Sequence, residues 1–304
     1  MAEPAEGVYL GIDIGGTNTK VAVLDADADR VVATGSVLTD RSGAAATLAR
    51  AASLAVEWIA EHPGIRLVGI TIPGHFDSNG SATIVPNIPG PWLGQPVRDV
   101  IASASGRPTV LINDARAHGL AESRLGAGRG APVVAALVLG TGVGGALVID
   151  GRLHRGTTGL AGEIGHTVVL ADGPPCGCGN HGCLESLARS DAIASAAGAA
   201  TVAEAVERAT AGDVRALEAI ATAGRWMGLA LANVANVYAP DVIVVGGGVS
   251  LAGGLLFDSI RAEFVARTPL LAPEATVIVS AQLGTTAGAV GAALAAAAAD
   301  DVAL

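Results

Sequence analysis

Several residue types are scarce in this sequence, and each scarcity excludes a class of protein. Cysteine occurs only three times in 304 residues. An odd count in a long chain excludes a secreted scaffold held together by disulfides. Lysine and arginine total 18 against 28 aspartates and glutamates, which gives a net charge of −10. Such an acidic chain lacks the basic surface that nucleic acids and anionic membranes require.

Long hydrophobic runs and targeting signals are also lacking. The first residues, MAEPAEG, are acidic and do not have the basic region and apolar run of a secretory signal. The longest apolar run, residues 287–299, is mostly alanine and glycine, and it predicts a buried helix rather than a membrane span. We therefore expect a cytoplasmic globular protein, with no membrane or nucleic-acid partner, in a compartment that keeps thiols reduced.

All three cysteines lie in one short segment, CGCGNHGCLE, at residues 176–185. Cysteines that merely fill a core have no reason to gather among glycines. Thiolates close together in sequence are typical metal ligands, and zinc completes such a set with a fourth ligand, often histidine. Cys176, Cys178 and Cys183 therefore predict a zinc site whose fourth ligand lies outside this cysteine set.

One pattern occurs twice in the chain. Residues 14–25, IGGTNTKVAVLD, align with residues 139–150, LGTGVGGALVID. Each segment follows an apolar strand-like run, turns through glycines and continues as a second apolar run, which is the pattern of a β-hairpin. The repeat predicts two related α/β halves that face one another.

The remaining patterns indicate a mixed α/β architecture with helices flanking the sheets. Apolar runs that end in loop residues predict strands at residues 67–74, 108–114 and 241–250. Helical spacing predicts helices over residues 44–61, 190–211 and 213–238.

The two glycine turns indicate phosphate binding. Residues 140–145, GTGVGG, have the spacing of a dinucleotide-binding turn, but that turn must open a helix, and here a strand follows. The sequence also lacks a P-loop motif. A single glycine turn is explained by the need for a positive φ. Two turns, with Asp13, Thr17 and Thr141 in or beside them, favour a cradle of backbone N–H groups for phosphate oxygens.

Five motifs now combine: DIGGTNTK, INDARA, GTGVGGALVIDG, GLAGEIGH and CGCGNHGCLE, in this order between about residues 8 and 290. With them the sequence resembles the ROK family of bacterial sugar kinases and repressors. The resemblance implies the two-domain actin-like ATPase (ribonuclease H-like) fold, with a central cleft and a zinc-binding loop. It implies a small first domain at residues 1–113, completed by the C-terminal helix 287–304, and a larger domain at residues 114–286 that carries the zinc.

The resemblance also implies the fourth zinc ligand. In this family three cysteines and an upstream histidine hold a structural zinc, and the matching histidine here is His166. His181, inside the cysteine loop, is the rival ligand, but it matches a variable family position. With one ring nitrogen on the metal, His166 keeps the other for a sugar hydroxyl.

Phosphoryl transfer to a sugar needs a carboxylate that accepts the proton of the attacking hydroxyl. Asp114 follows an apolar strand, where an aspartate is commonly just an Asx turn. The resemblance implies instead that Asp114 is the catalytic base and that Asn113 binds the sugar. Arg116 falls at a variable family position and receives no role.

Other residues take their roles from the resemblance alone. The implied sugar ligands are Gly74, Asn87, Asn113, Asp114, Glu163, His166 and Glu185. The implied contacts to ATP and Mg²⁺ are Asp13, which orients the Mg²⁺, and Gly15, Gly16, Thr17, Thr141, Gly142, Gly246, Gly247 and Gly248.

The implied activity is transfer of the γ-phosphoryl group of ATP to the 6-hydroxyl of a hexose, with Mg²⁺ and a structural Zn²⁺. Glucose is the leading substrate, and N-acetylglucosamine, N-acetylmannosamine, kanosamine and fructose are alternatives. Polyphosphate is a minor alternative donor. The family's repressors carry a DNA-binding segment before the first strand, where this chain has only about seven residues, so we expect a kinase. A homo-oligomer, dimer or tetramer, is the expected assembly.

Overall fold

The structure, a computed structural model, describes residues 7–27, 29–157, 159–272 and 274–303. The strands are β1 (Val8–Ile14), β2 (Asn18–Asp25), β3 (Arg30–Leu38), β4 (Ile65–Ile72), β5 (His75–Phe76), β6 (Ala82–Ile84), β7 (Thr109–Asn113), β8 (Val133–Leu139), β9 (Val143–Ile149), β10 (Arg152–Leu153), β11 (Val242–Gly247) and β12 (Val277–Ser280). The α-helices are α1 (Ala44–Glu61), α2 (Val97–Ser105), α3 (Asp114–Leu125), α4 (Leu184–Ala188), α5 (Ser190–Ala197), α6 (Val202–Thr210), α7 (Val214–Tyr238), α8 (Gly254–Arg267) and α9 (Ala287–Ala303). Short 3₁₀ turns occur at Ile164–His166, Gly248–Ala252 and Gly284–Thr286.

The chain divides into two compact units. The first combines the residues up to Leu125 with those from Thr285 onward, and the second is Gly126–Gly284. The boundary predicted after residue 113 is therefore too early. Because α3 packs against α9 within the first unit, the helix that begins at Asp114 belongs there and not to the second unit.

The two units repeat one sheet plan. The strand order is β3-β2-β1-β4-β7 in the first unit and β10-β9-β8-β11-β12 in the second. In each unit the two strands around the glycine turn form an antiparallel hairpin. A third antiparallel strand, β3 or β10, pairs with one side of the hairpin, and two parallel strands extend the sheet on the other side. The hairpins predicted from the repeated segment are confirmed, with Ile14 opposite Thr19 and Leu139 opposite Val143.

The core of the first unit depends on close packing of α9 against the sheet. A Cβ on Gly11 would lie 1.8 Å from the carbonyl oxygen of Ala289, and one on Gly69 would lie 1.8 Å from that of Ala292. Only residues without a side chain allow the helix backbone to approach the strands so closely. The buried helix predicted at residues 287–299 is confirmed as part of α9.

The second unit is built around α7, which packs along α8. Its N-terminus is fixed by Asp213, whose side chain accepts a hydrogen bond from the Ala216 N–H at 3.1 Å. The continuous helical pattern predicted for residues 190–211 is wrong, because the chain leaves α5 at Gly198 with φ of 68°. Among the described residues, no helix has both the length and the hydropathy needed to cross a membrane.

Candidate functional site

The first glycine turn, between β1 and β2, is held in one shape by backbone and hydroxyl contacts. The Gly15 N–H donates to the Asn18 carbonyl at 3.0 Å, and the Thr39 hydroxyl donates to the Gly15 carbonyl at 2.7 Å. Gly16 lies beside the backbone of Asn87, since a Cβ there would be 3.3 Å from the Asn87 carbonyl oxygen. Thr17 is exposed at the tip of the turn. The structure thus brings together Asn87 and the predicted phosphate residues of this turn.

Asp13, the last polar side chain before this turn, is an unusual carboxylate. It is only 5% exposed, and its nearest cation is the Lys20 Nζ at 3.9 Å. Burial raises the pKa of Asp13 above the ordinary value of 3.8; His118 and Lys20 partly oppose this change, and the negative charge of Asp114 adds to it. A buried carboxylate whose negative charge is poorly neutralised by its neighbours is suited to binding a cation, as the predicted role in orienting Mg²⁺ requires.

Asp13→Asn is expected to raise the unfolding temperature of the metal-free protein, while abolishing the activity proposed below. The folded-state pKa lies above the unfolded value, so the ionised carboxylate costs stability at neutral pH. That cost is absent below about pH 3.8 and grows as the pH rises through the folded-state pKa. Each kcal/mol recovered should add about 2–4 °C to the melting temperature. Calorimetry at several pH values would measure the gain, which should shrink as the pH falls.

Asp25→Asn is the matched control for this prediction. Asp25 is a second buried aspartate of the same sheet, but the Arg30 guanidinium pairs with it at 3.3 Å. Its replacement should lower the melting temperature. Equal gains for both variants would show that the effect is not specific to Asp13.

Asn113, at the end of β7, fixes the start of α3. Its Oδ1 accepts a hydrogen bond from the Arg116 N–H at 3.2 Å, and its Nδ2 donates to the Gly74 carbonyl at 3.3 Å. One amide therefore caps the helix and holds the loop at Gly74. Two predicted sugar residues, Asn113 and Gly74, are brought into direct contact.

Asp114 is the first residue of α3, where the helix dipole favours a negative charge. Its carbonyl accepts a hydrogen bond from Nδ1 of His118 at 2.9 Å. Within the described part of the chain, its carboxylate has neither a hydrogen-bond partner nor an ion pair. Asn113, and not Asp114, makes the capping contact, so the Asx-turn interpretation does not account for Asp114.

The cysteine segment of the second unit folds back onto the turn that contains His166. One ligand atom from each of His166, Cys176, Cys178 and Cys183 lies within 4.8 Å of the other three. The Sγ atoms of Cys178 and Cys183 are 3.7 Å apart, and Nδ1 of His166 is 3.6 Å from Cys176 Sγ. Tetrahedral ligands about 2.3 Å from a zinc ion would be separated by about 3.8 Å, whereas a disulfide requires about 2.05 Å.

The donor set therefore fits zinc. Burial raises the pKa of Cys183 to about 12 and also raises that of Cys176, whereas a backbone hydrogen bond from Asn180 lowers that of Cys178. Two of the thiols thus resist ionisation until a cation offsets their charge. Among the described residues, the clustered histidine is His166 and not the rival His181.

The predicted nucleotide residues of the second unit are neighbours. The carbonyl of Gly140 accepts hydrogen bonds from the Ser190 N–H at 3.0 Å and the Ser190 hydroxyl at 2.7 Å, and Thr141 is exposed at the tip of the turn. β11 runs parallel to β8 and places Gly247 opposite Leu139. Residues 246–248 therefore lie beside the turn that contains Thr141 and Gly142.

The predicted sugar residues of the second unit adjoin the cysteine cluster. The His166 N–H donates to the Glu163 carbonyl at 3.0 Å. Glu185 accepts a hydrogen bond from the Val143 N–H through Oε2, at 3.0 Å, and its Oε1 lies 3.7 Å from Cys176 Sγ. Glu185 therefore contacts both the cysteine cluster and the second glycine turn.

Two residues that affect Asp13, Lys20 and His118, were not identified from the sequence. Lys20 lies directly opposite Asp13 in the first hairpin, so hairpin register would have identified the pair. His118 follows Asp114 by one helical turn, and that spacing would have placed it on the same side of α3. Both side chains lower the pKa of the Asp13 carboxylate, which is expected to face a cation.

Comparison with known proteins identifies the family. The ROK family model matches residues 9–299. A glucokinase of Halalkalibacterium halodurans is 33% identical, with 93% of each chain covered. An N-acetylmannosamine kinase of Vibrio cholerae is 32% identical over 81% of this chain and 86% of its own length.

Solved structures of ROK proteins are also similar to this chain. A ROK hexokinase from Thermus thermophilus has a TM-score of 0.87 and 34% identity, covering 97% of this chain and 99% of that one. A ROK family glucokinase from Streptomyces griseus, in complex with glucose and AMPPNP, has a TM-score of 0.78 and 33% identity, covering 95% and 99%. The chain belongs to the ROK family, and its units have the actin-like ATPase fold that the resemblance implied.

Proposed function

We propose that this protein is an ATP-dependent sugar kinase that transfers the γ-phosphoryl group of ATP to the 6-hydroxyl of a hexose, with glucose as the preferred substrate. The observation that carries this proposal is Asp114, a carboxylate at a helix N-terminus with no hydrogen-bond partner among the described residues. Its neighbours, Asn113 and the buried Asp13, supply a polar contact and a cation site. The similarity to glucokinases supports the same activity.

In this proposal Asp114 accepts the proton of the attacking sugar hydroxyl. The hydroxyl oxygen then forms its bond to the γ-phosphorus while the bond to ADP breaks. Asn113 is held by its two hydrogen bonds, so it presents the amide edge in one orientation to the neighbouring hydroxyls. Gly74 and Asn87 are the other proposed sugar contacts of the first unit.

The donor phosphates are assigned to both glycine turns. In the first unit these contacts are Gly15, Gly16 and Thr17, and in the second they are Thr141 and Gly142. Gly246, Gly247 and Gly248 are assigned to the adenosine side of ATP. Asp13 would hold Mg²⁺, which offsets the charge of the transferred phosphoryl group when it is bound. The role of Asp13 is to keep a buried negative charge at a fixed position for that cation.

The second unit is assigned the remaining sugar contacts, Glu163, His166 and Glu185. Cys176, Cys178, Cys183 and the Nδ1 of His166 would hold the zinc, which braces this segment when it is bound. That arrangement leaves the Nε2 of His166 for a sugar hydroxyl.

The choice of sugar is tested by measuring ADP release in a coupled assay with ATP and Mg²⁺. Glucose should give the highest kcat/KM in a panel with fructose, N-acetylglucosamine, N-acetylmannosamine and kanosamine. The similarity to an N-acetylmannosamine kinase makes an aminosugar the second candidate, and a higher kcat/KM for such a sugar would establish it. A 6-deoxy sugar should inhibit without turnover. Absence of sugar-dependent ADP release throughout the panel would show that the proposed activity is wrong.

A further inference from the structure

The second glycine turn, residues 140–143, is in contact with both segments that carry the proposed zinc ligands. On one side, the Val143 N–H donates to Glu185 Oε2 at 3.0 Å. On the other, the Val143 carbonyl lies against Gly165, the residue before His166, where a Cβ would be only 1.7 Å from that oxygen. Both polar atoms of one backbone position are thus in contact with metal-bearing segments.

The carboxylate of Glu185 lies between the second glycine turn and the cysteines. A Cβ on Gly142 would lie 2.6 Å from Glu185 Oε2, so a side chain there would displace the carboxylate. Its other oxygen lies 3.7 Å from Cys176 Sγ, which is 3.6 Å from Nδ1 of His166. A short chain of contacts therefore joins two zinc ligands to the backbone of the turn.

The other end of the turn is held by the same stretch of chain. Ser190 begins α5, just after Glu185 and the end of α4, and it donates through both its N–H and its hydroxyl to the Gly140 carbonyl. Residues 185–190 thus form hydrogen bonds with the turn at Gly140 and at Val143. A change in the position of residues 176–185 would reach the turn through the contact between Glu185 and Val143.

We propose that Glu185 is a positioning residue for the nucleotide, and that an occupied zinc site orders the turn at residues 140–143 for phosphate binding. This inference rests on the proposed function, in which Thr141 and Gly142 contact the phosphates. A phosphate cradle requires backbone N–H groups that already point in one direction. Metal ligation would fix Cys183, two residues before Glu185, and so hold the Glu185 carboxylate in place against the Val143 N–H.

The test measures AMPPNP binding by calorimetry without sugar, so that no sugar contact of Glu185 contributes. Glu185→Ala should raise the Kd for AMPPNP about tenfold, because the Val143 N–H loses a charged acceptor. Glu185→Gln keeps an oxygen acceptor and should stay within about threefold of the wild type. Zinc removal should weaken AMPPNP binding of the wild type more than that of Glu185→Ala. Far-UV circular dichroism would verify that each protein is folded.

Glu218→Ala is the control, because it removes an exposed carboxylate of α7 in the same unit and should leave the Kd for AMPPNP unchanged. An equal loss in Glu218→Ala, or an unchanged Kd in Glu185→Ala, would overturn the role of Glu185. If the wild type unfolds without zinc, the role of Glu185 is tested by comparing the zinc-loaded variants with the zinc-loaded wild type. Failure of zinc-loaded wild type to bind AMPPNP would contradict the proposed function, and this inference with it. If the wild type binds AMPPNP and the Kd does not change in Glu185→Ala, only this inference would be contradicted.

Discussion

Asp114→Asn is expected to lower kcat by about 10²–10⁴-fold, the usual effect of removing a general base. The amide keeps the shape of the carboxylate but cannot accept the proton of the attacking hydroxyl. The carboxylate has no hydrogen-bond partner among the described residues, so its replacement should lose the helix-dipole contribution to folding stability, about 0.3–1 kcal/mol, while relieving the repulsion with Asp13. Steady-state kinetics with glucose, together with the Kd for glucose, would separate catalysis from binding.

Asp99→Asn provides the matched control for this variant. Asp99 lies in the first turn of α2, another helix of the first unit, and its side chain is 63% exposed. The variant also removes a negative charge near a helix N-terminus, but kcat should stay close to that of the wild type. Near-normal turnover in Asp114→Asn would mean that another group accepts the proton.

Loss of the zinc site is expected to have the largest effect on stability. Protein purified without added metal should contain about one zinc per chain, because four protein ligands form a closed site. Cys178→Ser should lower the zinc content and reduce the melting temperature by on the order of 10 °C, since the free energy of metal binding becomes folding free energy. Elemental analysis and a thermal melt measure the two effects.

His166→Ala and His181→Ala test which histidine belongs to the site. Nδ1 of His166 is 3.6 Å from Cys176 Sγ, whereas His181 lies outside the clustered ligands among the described residues. The first variant should lose zinc and the second should retain it. The reverse result would make His181 the ligand, and a zinc-free wild type with full stability would contradict the site altogether.

Much of the fold was predictable because its signals are local. Glycines between apolar runs predicted both hairpins, and helical spacing predicted α1 with the bounds that the structure has. The boundary between the units depends on packing of α3 against α9, which are distant in sequence, so no local pattern could place it. The break at Gly198 was hidden because alanine-rich sequence on both sides has the same helical spacing.

The candidate site shows the same division. The three cysteines predict a metal site by themselves, but the identity of the fourth ligand was inferred from the family resemblance. Asp114 and Asn113 were assigned as a pair, while the division of labour between them required hydrogen bonds that only the structure contains. The contact between Glu185 and Val143 joins residues 42 positions apart, and sequence spacing carries no information about it.

The packing of α9 has a consequence for the order of events on the ribosome. The strands of the first unit are synthesised early, but the sheet face that contains Gly11 and Gly69 stays uncovered until α9 has emerged. The second unit is one continuous stretch, Gly126–Gly284, and all of it is synthesised before α9. Vectorial synthesis usually lets the N-terminal unit fold first. Here the unit that is begun first is finished last, because one face of its sheet lacks its covering helix until the end of synthesis.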